Sequence, residues 1–313
     1  MPMPRPTTTL PRSTWTLLLI LTFGWGMNWP MIKLAVAEIP VWTFRALCVG
    51  AGAVGMFAIA RFTGVPLRVP RRDWGALAAM AACNVTLWNI LSTYAVSLLP
   101  AGRSAILAYT MPLWTVLLSA LFLGEPLTLR RTAGLALGMG GLALLLADSL
   151  ASIGGRPAGA LLMLAAAIAW SSGTVLMKRR PLGLAVTTFT GWNFLLGGIP
   201  IVIGALLFDP PHWRAVGPAA LAGLAYNMSI AFVLCFWAWF KIVSLAPAGV
   251  SALGTLFIPV VAVFSGMLLL GERPATTDFA ALALILCALA TVVVPGRRSV
   301  AESPQGPGGP SVN

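Results

Sequence analysis

The sequence predicts an all-α membrane protein: ten transmembrane helices arranged as two inverted five-helix repeats. Three observations lead there. Of 313 residues, 58% are hydrophobic and 9% charged, with a mean hydropathy of +0.90, whereas soluble domains carry about 25% charged residues. Apolar stretches alternate with short basic or Gly/Pro-rich breaks, and at roughly 20 apolar residues per crossing the length suits about ten crossings. Finally, one stretch occurs twice. Residues 96–126, VSLLPAGRSAILAYTMPLWTVLLSALFLGEP, lie without a gap on residues 243–273, VSLAPAGVSALGTLFIPVVAVFSGMLLLGER, at a constant offset of 147 (243 − 96). The identities include Pro100/Pro247, Ala101/Ala248, Gly102/Gly249, Ser104/Ser251, Ala105/Ala252, Pro112/Pro259, Gly124/Gly271 and Glu125/Glu272. Shared Leu and Val mean little between apolar helices. A PAG-x-SA motif, a mid-segment proline and a terminal Gly-Glu at one offset mark an internal duplication.

Taken in order, residues 1–14 are Pro/Thr-rich and predicted disordered. The apolar run from Trp15 has the look of a signal peptide. It also has a partner deep in the chain, since at an offset of 145 Trp25 falls on Trp170 and Lys33 on Lys178. That partnership makes it part of the fold. Helices are predicted at about 15–35, 40–60, 74–96, 101–123 and 131–148 in the first repeat (15–150). They are predicted at about 157–177, 185–207, 216–241, 248–270 and 277–295 in the second (151–295). Five helices per repeat is an odd number, so the halves insert in opposite directions, an arrangement of many secondary transporters. With the N-terminus cytoplasmic, 14 of the 20 Lys and Arg fall on that side, 5 on the other, and Arg45 within helix two (14 + 5 + 1 = 20). The positive-inside rule then puts both termini in the cytoplasm. Residues 296–313 are polar, Gly/Pro-rich and predicted disordered.

Enzymatic chemistry lacks its groups. The single histidine, His212, sits in a loop. No HExxH motif occurs, and Asp73, Asp148, Asp209 and Asp278 all fall at predicted helix ends. Cys48, Cys83, Cys235 and Cys287 lie in apolar segments without metal spacing and read as packing residues. No metal or cofactor is expected. The net charge of +12 comes from membrane-edge residues and does not point to nucleic acid.

Several polar side chains do lie within helices: Asn28, Asn84, Asn89, Asn193, Tyr94, Tyr109, Tyr226 and Asn227, with Trp25, Trp88, Trp170 and Trp237 among them. Amides and hydroxyls need partners in hydrocarbon and therefore face a bundle interior or a wet cavity. Each deep Trp reads equally as packing or as cavity wall. Arg45 is the one charge placed within a helix, where a central Arg costs about 2.5–3.5 kcal/mol on insertion scales. The favoured reading has it snorkel from the near end of helix two; the alternative is an anchor for a solute carboxylate. No carboxylate falls at mid-membrane depth, so facilitated transport is simpler than proton coupling. Pro30, Pro112, Pro200 and Pro259 interrupt apolar segments, and the repeat-related Pro112 and Pro259 are candidate hinges. The glycines of helix five (Gly134, Gly138, Gly140, Gly141) offer a close-packing face, within the chain or in a dimer.

The duplicated PAG-x-SA, mid-helix Pro and Gly-Glu, with the Trp25/Trp170 positions, resemble the drug/metabolite transporter superfamily, specifically its EamA-type ten-helix members, over residues 15–295. The resemblance implies a central cavity lined by helices one, three, four, six, eight and nine, and frequently export of amino acids or related metabolites. Aromatic amino-acid exporters belong to this group. The expectation is a bacterial inner-membrane exporter of neutral, large apolar or aromatic amino acids. It would act as a monomer or homodimer, its partners being a small solute and the lipid bilayer. The candidate solute-binding residues are Asn28, Trp88, Asn89, Tyr109, Trp170, Tyr226, Asn227 and Trp237. Another exported metabolite or drug, a membrane scaffold and a lipid flippase are the alternatives.

Overall fold

The computed structural model describes residues 12–151, 157–209, 216–245 and 256–293. His212, the second PAG-x-SA motif and nearly all of both predicted tails lie outside these. Among the described residues the chain is helical without strands. Helix α1 runs over Arg12–Gly26 and resumes as Asn28–Val36, so it begins inside the stretch predicted as tail. Then follow α2 (Val41–Phe62), α3 (Arg71–Leu98), α4 (Ala101–Leu123), α5 (Leu129–Ala151), α6 (Ala158–Arg179) and α7 (Val186–Phe208). Helix α8 comprises Pro218–Tyr226, Asn227–Leu234 and Cys235–Leu245; α9 is Ile258–Leu270 and α10 is Thr276–Val293. Eight of these are long and apolar enough to cross a membrane, and α9 and α10 are shorter apolar helices.

Two helix breaks have a covalent cause. Proline has no N–H to donate to the carbonyl four residues back. Pro30 leaves the Gly26 carbonyl without that donor, and α1 breaks at Met27. Pro112 does the same to Ala108, and α4 breaks at Tyr109 and Thr110 before resuming at Met111. At the repeat-related place Phe257 precedes the segment Ile258–Leu270, with Pro259 in its first turn. Pro200 is absorbed inside α7 without a break. Two further irregularities carry no proline. Residues Ala82–Leu87 of α3 and Asn227–Leu234 of α8 are π-helical. At the repeat offset, 82–87 maps to 229–234, so the π segments are repeat-related (82 + 147 = 229; 87 + 147 = 234).

The two halves interlock across a pseudo-two-fold axis. Helix α2 packs on its counterpart α7, α4 on α9, and α5 on α10, while α1 packs on α8 and α3 on α6. Small residues permit these approaches. A Cβ at Gly52 would lie 2.9 Å from the Phe194 ring, at Gly191 2.7 Å from Phe57, and at Gly102 3.1 Å from the Val263 backbone. Gly141 faces Ala281 and Ile285 of α10, and Gly138 faces Leu113, so part of the α5 glycine face is used within the chain.

The Gly-Glu pairs close α4 and α9 alike, with Gly124 at φ 67° and Gly271 at φ 65° in the left-handed conformation that ends a helix. Their glutamates then diverge. The Glu272 backbone N–H donates to the Gly266 carbonyl of its own helix end at 3.2 Å, but its side chain reaches away. Its carboxylate accepts from the backbone N–H of Ala101 (2.6 Å) and Gly102 (3.2 Å) at the start of α4, with Lys33 Nζ 3.8 Å away. Glu125 instead pairs with Arg131 (3.0 Å) and Lys178 (3.5 Å).

Candidate functional site

At the middle of the bundle lies a cavity of about 150 Å³, the volume of about five waters at ~30 Å³ each. Four elements build it by helical spacing. Helix α1 contributes Trp25, Asn28, Trp29 and Ile32, at i, i+3, i+4 and i+7, the positions of one helical face. Helix α3 contributes Asn84, Trp88 and Ser92, four apart, with Asn89 beside them. Helix α8 contributes Ala231, Phe232 and Phe236, and the break of α4 brings in Tyr109 and Met111. Trp170 of α6, Arg45 of α2 and Phe194 of α7 complete the wall.

The aromatic walls are ordered against each other. Trp88 and Trp170 are 5.3 Å apart between ring centroids; Trp25 meets Phe236 edge-on at 5.4 Å, and Phe194 meets Phe236 edge-on at 5.0 Å. Offset and edge-to-face contacts of this kind stabilise a pair by about 0.5–1.5 kcal/mol beyond area burial. The Trp25 indole N–H donates to the Ala231 carbonyl at 3.2 Å, tying α1 to the π segment of α8. Asn84 donates to the Trp170 carbonyl at 3.1 Å. The side-chain oxygens of Asn84 and Asn28 are buried and accept nothing from the protein.

A second cavity, about 490 Å³, shares Trp25, Tyr109, Met111, Trp170 and Phe236 with the first and reaches Glu125, Arg131 and Lys178. Thr115, Ser119 and Thr174 lie along it. At the opposite end of the bundle Glu272 joins α9 to α4, and Lys33 donates to the Leu99 carbonyl. There Arg103 bridges Asp148 of α5 (2.6 Å) and Asp278 of α10 (2.7 Å).

Of the eight sequence-predicted site residues, Asn28, Trp88, Asn89, Tyr109 and Trp170 line the central cavity. The other three do not. Tyr226 donates its hydroxyl to the Gly24 carbonyl at 2.9 Å, and Trp237 packs against the cluster of Leu17, Leu18 and Leu21. These two are eleven residues apart, about three helical turns, and they occupy the face of α8 that packs on α1. Asn227 is fully buried, its amide donating to the Gly223 carbonyl at 3.0 Å. Residues not proposed from sequence as solute ligands include Asn84, Ser92, Phe194, Phe232 and Phe236; the four-residue spacing of Asn84, Trp88 and Ser92 was the available signal. None of the described residues of α9 lines the central cavity; α2 and α7 do. Arg45 is a further correction. It does not snorkel: 3% of it is exposed. Its Nε donates to the Thr93 hydroxyl, and its guanidinium carbon lies 5.0 Å from the Phe44 ring centre and 5.8 Å from that of Phe232.

A duplicated bundle of apolar helices around a largely aromatic central cavity, with a second cavity reaching toward one end, is the architecture of a membrane transporter. The chain belongs to the EamA-like transporter family, which matches residues 13–147 and again 157–294. It is 26% identical over 292 residues to a probable amino-acid metabolite efflux pump of Escherichia coli (strain K12), covering 89% of this chain and 94% of that protein. It is 27% identical over 277 residues to a probable terminal-alkyne amino-acid exporter of Streptantibioticus cattleyicolor, covering 85% and 88%. The fold matches a solved crystal structure with a TM-score of 0.63 at 24% identity, over 91% of this chain and 97% of that one.

Proposed function

We propose that this transporter exports neutral amino acids with large apolar or aromatic side chains by alternating access across a bacterial inner membrane, with both termini cytoplasmic. The observation that carries the reading is the central cavity itself. Its walls are Trp25, Trp88, Trp170, Phe194, Phe232 and Phe236, and its polar groups are few and convergent, the form of a site for a small amphipathic solute. Two relatives whose names mention amino acids support the solute class. Asn28, Trp88, Asn89, Tyr109 and Trp170 contact the solute. Tyr226, Asn227 and Trp237 hold the bundle. The Glu125 end is the open, cytoplasmic mouth, and the Glu272 end is closed. Bending at the α4 break beside Pro112 and at the start of α9 beside Pro259 exchanges the two. No carboxylate lines the central cavity, so exchange without a buried acidic proton relay is the simplest coupling.

Counterflow tests this reading. Proteoliposomes loaded with unlabelled amino acids are offered labelled Phe, Trp, Leu or Thr one at a time. Accumulation of Phe, Trp or Leu above empty liposomes is expected. No accumulation of any, with the protein inserted and folded, overturns it.

A further inference from the structure

We propose that Arg45 is the anchor for the carboxylate of the transported solute, whose ammonium group then lies among the aromatic faces of the cavity. The proposal rests on the amino-acid reading above and names how such a solute is gripped.

The argument begins with what a buried guanidinium needs. A charge taken out of water must be paired and hydrogen-bonded, and a fork of donors suits a carboxylate accepting two parallel N–H bonds. Arg103 shows how this chain meets that need within the protein: two carboxylates bridge it, from Asp148 and Asp278. Arg45 is more buried, and among the described residues no carboxylate pairs with it. The other described carboxylates are engaged elsewhere. Asp209 accepts from the backbone and hydroxyl of Thr43, and Glu38 from the Gly217 N–H. Glu272 and Glu125 hold the two ends, and Asp73 pairs with Arg180 and Arg72. The described partners of Arg45 are neutral: the Thr93 hydroxyl and the faces of Phe44 and Phe232. Those contacts fix the direction of the side chain without neutralising it. A positive charge that lines the cavity, with no acidic residue in that lining, attracts an anionic group from the solute.

The complementary half is also present. The aromatic walls, Trp25, Trp88 and Trp170 among them, attract a cationic group to their faces. A guanidinium and aromatic walls in one cavity complement a zwitterion with an apolar side chain.

The test uses the full chain purified in detergent, wild type and the substitutions Arg45→Gln and Arg45→Lys. The read-out is thermal stabilisation by phenylalanine, phenylalanine amide, phenethylamine and 3-phenylpropionate, with the same four ligands as competitors in counterflow. For wild type, phenylalanine stabilises most, 3-phenylpropionate less, and the two ligands lacking a carboxylate scarcely. Arg45→Gln weakens phenylalanine binding by roughly 10- to 100-fold, the size expected for charge-assisted hydrogen bonds. It also levels phenylalanine with its amide; Arg45→Lys recovers part of the preference. The ligand-free melting temperature of Arg45→Gln checks folding, and Thr93→Val, which removes the Nε acceptor but keeps the charge, gives a smaller loss of the same preference. Equal binding of phenylalanine and its amide by wild type, or an unchanged preference in Arg45→Gln, overturns the inference while leaving amino-acid export standing. Stabilisation by the carboxylates without accumulation of any amino acid overturns export and keeps the anchor. Neither stabilisation nor accumulation overturns both.

Discussion

The two ends of the bundle carry the same residues and do different things with them. Gly124-Glu125 and Gly271-Glu272 are repeat partners with nearly identical backbone angles at the glycine. At one end Glu272 reaches across to cap the two N–H groups that open α4, beside Lys33, and Arg103 ties α5 to α10. At the other, Glu125 turns to Arg131 and Lys178 at the mouth of the larger cavity. Under the alternating-access proposal, identical local chemistry with different partners gives each end one latch, and the two are made alternately. The difference between the ends therefore lies in tertiary partnership.

The largest expected effect comes from breaking the latch. Glu272→Ala leaves two helix-start N–H groups uncapped and Lys33 without its carboxylate, a loss of about 1–3 kcal/mol. If that loss falls on the closed state alone, the balance between states shifts roughly 5- to 150-fold. A cysteine placed at Ser92 should then become reactive from the Glu272 end, and counterflow should slow. Glu125→Ala should not expose that position. The wall of the cavity comes next. Trp88→Ala removes the ring against Trp170, and solute affinity should fall about 10-fold, from lost stacking and buried area, read as the half-saturating concentration in counterflow.

Smaller effects sharpen the assignment of structure against site. Tyr226→Phe deletes the hydroxyl bond to the Gly24 carbonyl and should cost about 1 kcal/mol of stability, seen as a lowered melting temperature with solute affinity unchanged. Smallest of all is the difference between Gly124→Ala and Gly271→Ala. Each forces a Cβ into a left-handed position, with open space around it, at about 1–2 kcal/mol. Equal losses in the two variants would place the asymmetry in the glutamates' partners; unequal ones would place it in the turns.

Much of this was readable in the chain because its causes are local or periodic. The duplication set ten helices in two inverted halves, and the proline breaks of α1 and α4 follow from a missing donor at a known place. Other features depend on partners far away in sequence. The π segments in α3 and α8 have no proline to announce them. Tyr226 and Trp237 have the composition of cavity residues, but which face of α8 meets α1 is settled by packing more than 200 residues distant. The direction of Arg45 was misjudged for the same reason. A helix-end arginine ordinarily reaches for water, and here Thr93, 48 residues away, and two phenyl rings turn it inward.

The most direct test of the central claim is one-sided access. In a cysteine-free background, Thr115→Cys on the larger cavity is exposed to a membrane-impermeant thiol reagent in vesicles of either orientation, with and without phenylalanine. The account expects labelling from the Glu125 face alone, slowed by phenylalanine. Equal labelling from both faces, or a rate indifferent to solute, would contradict it.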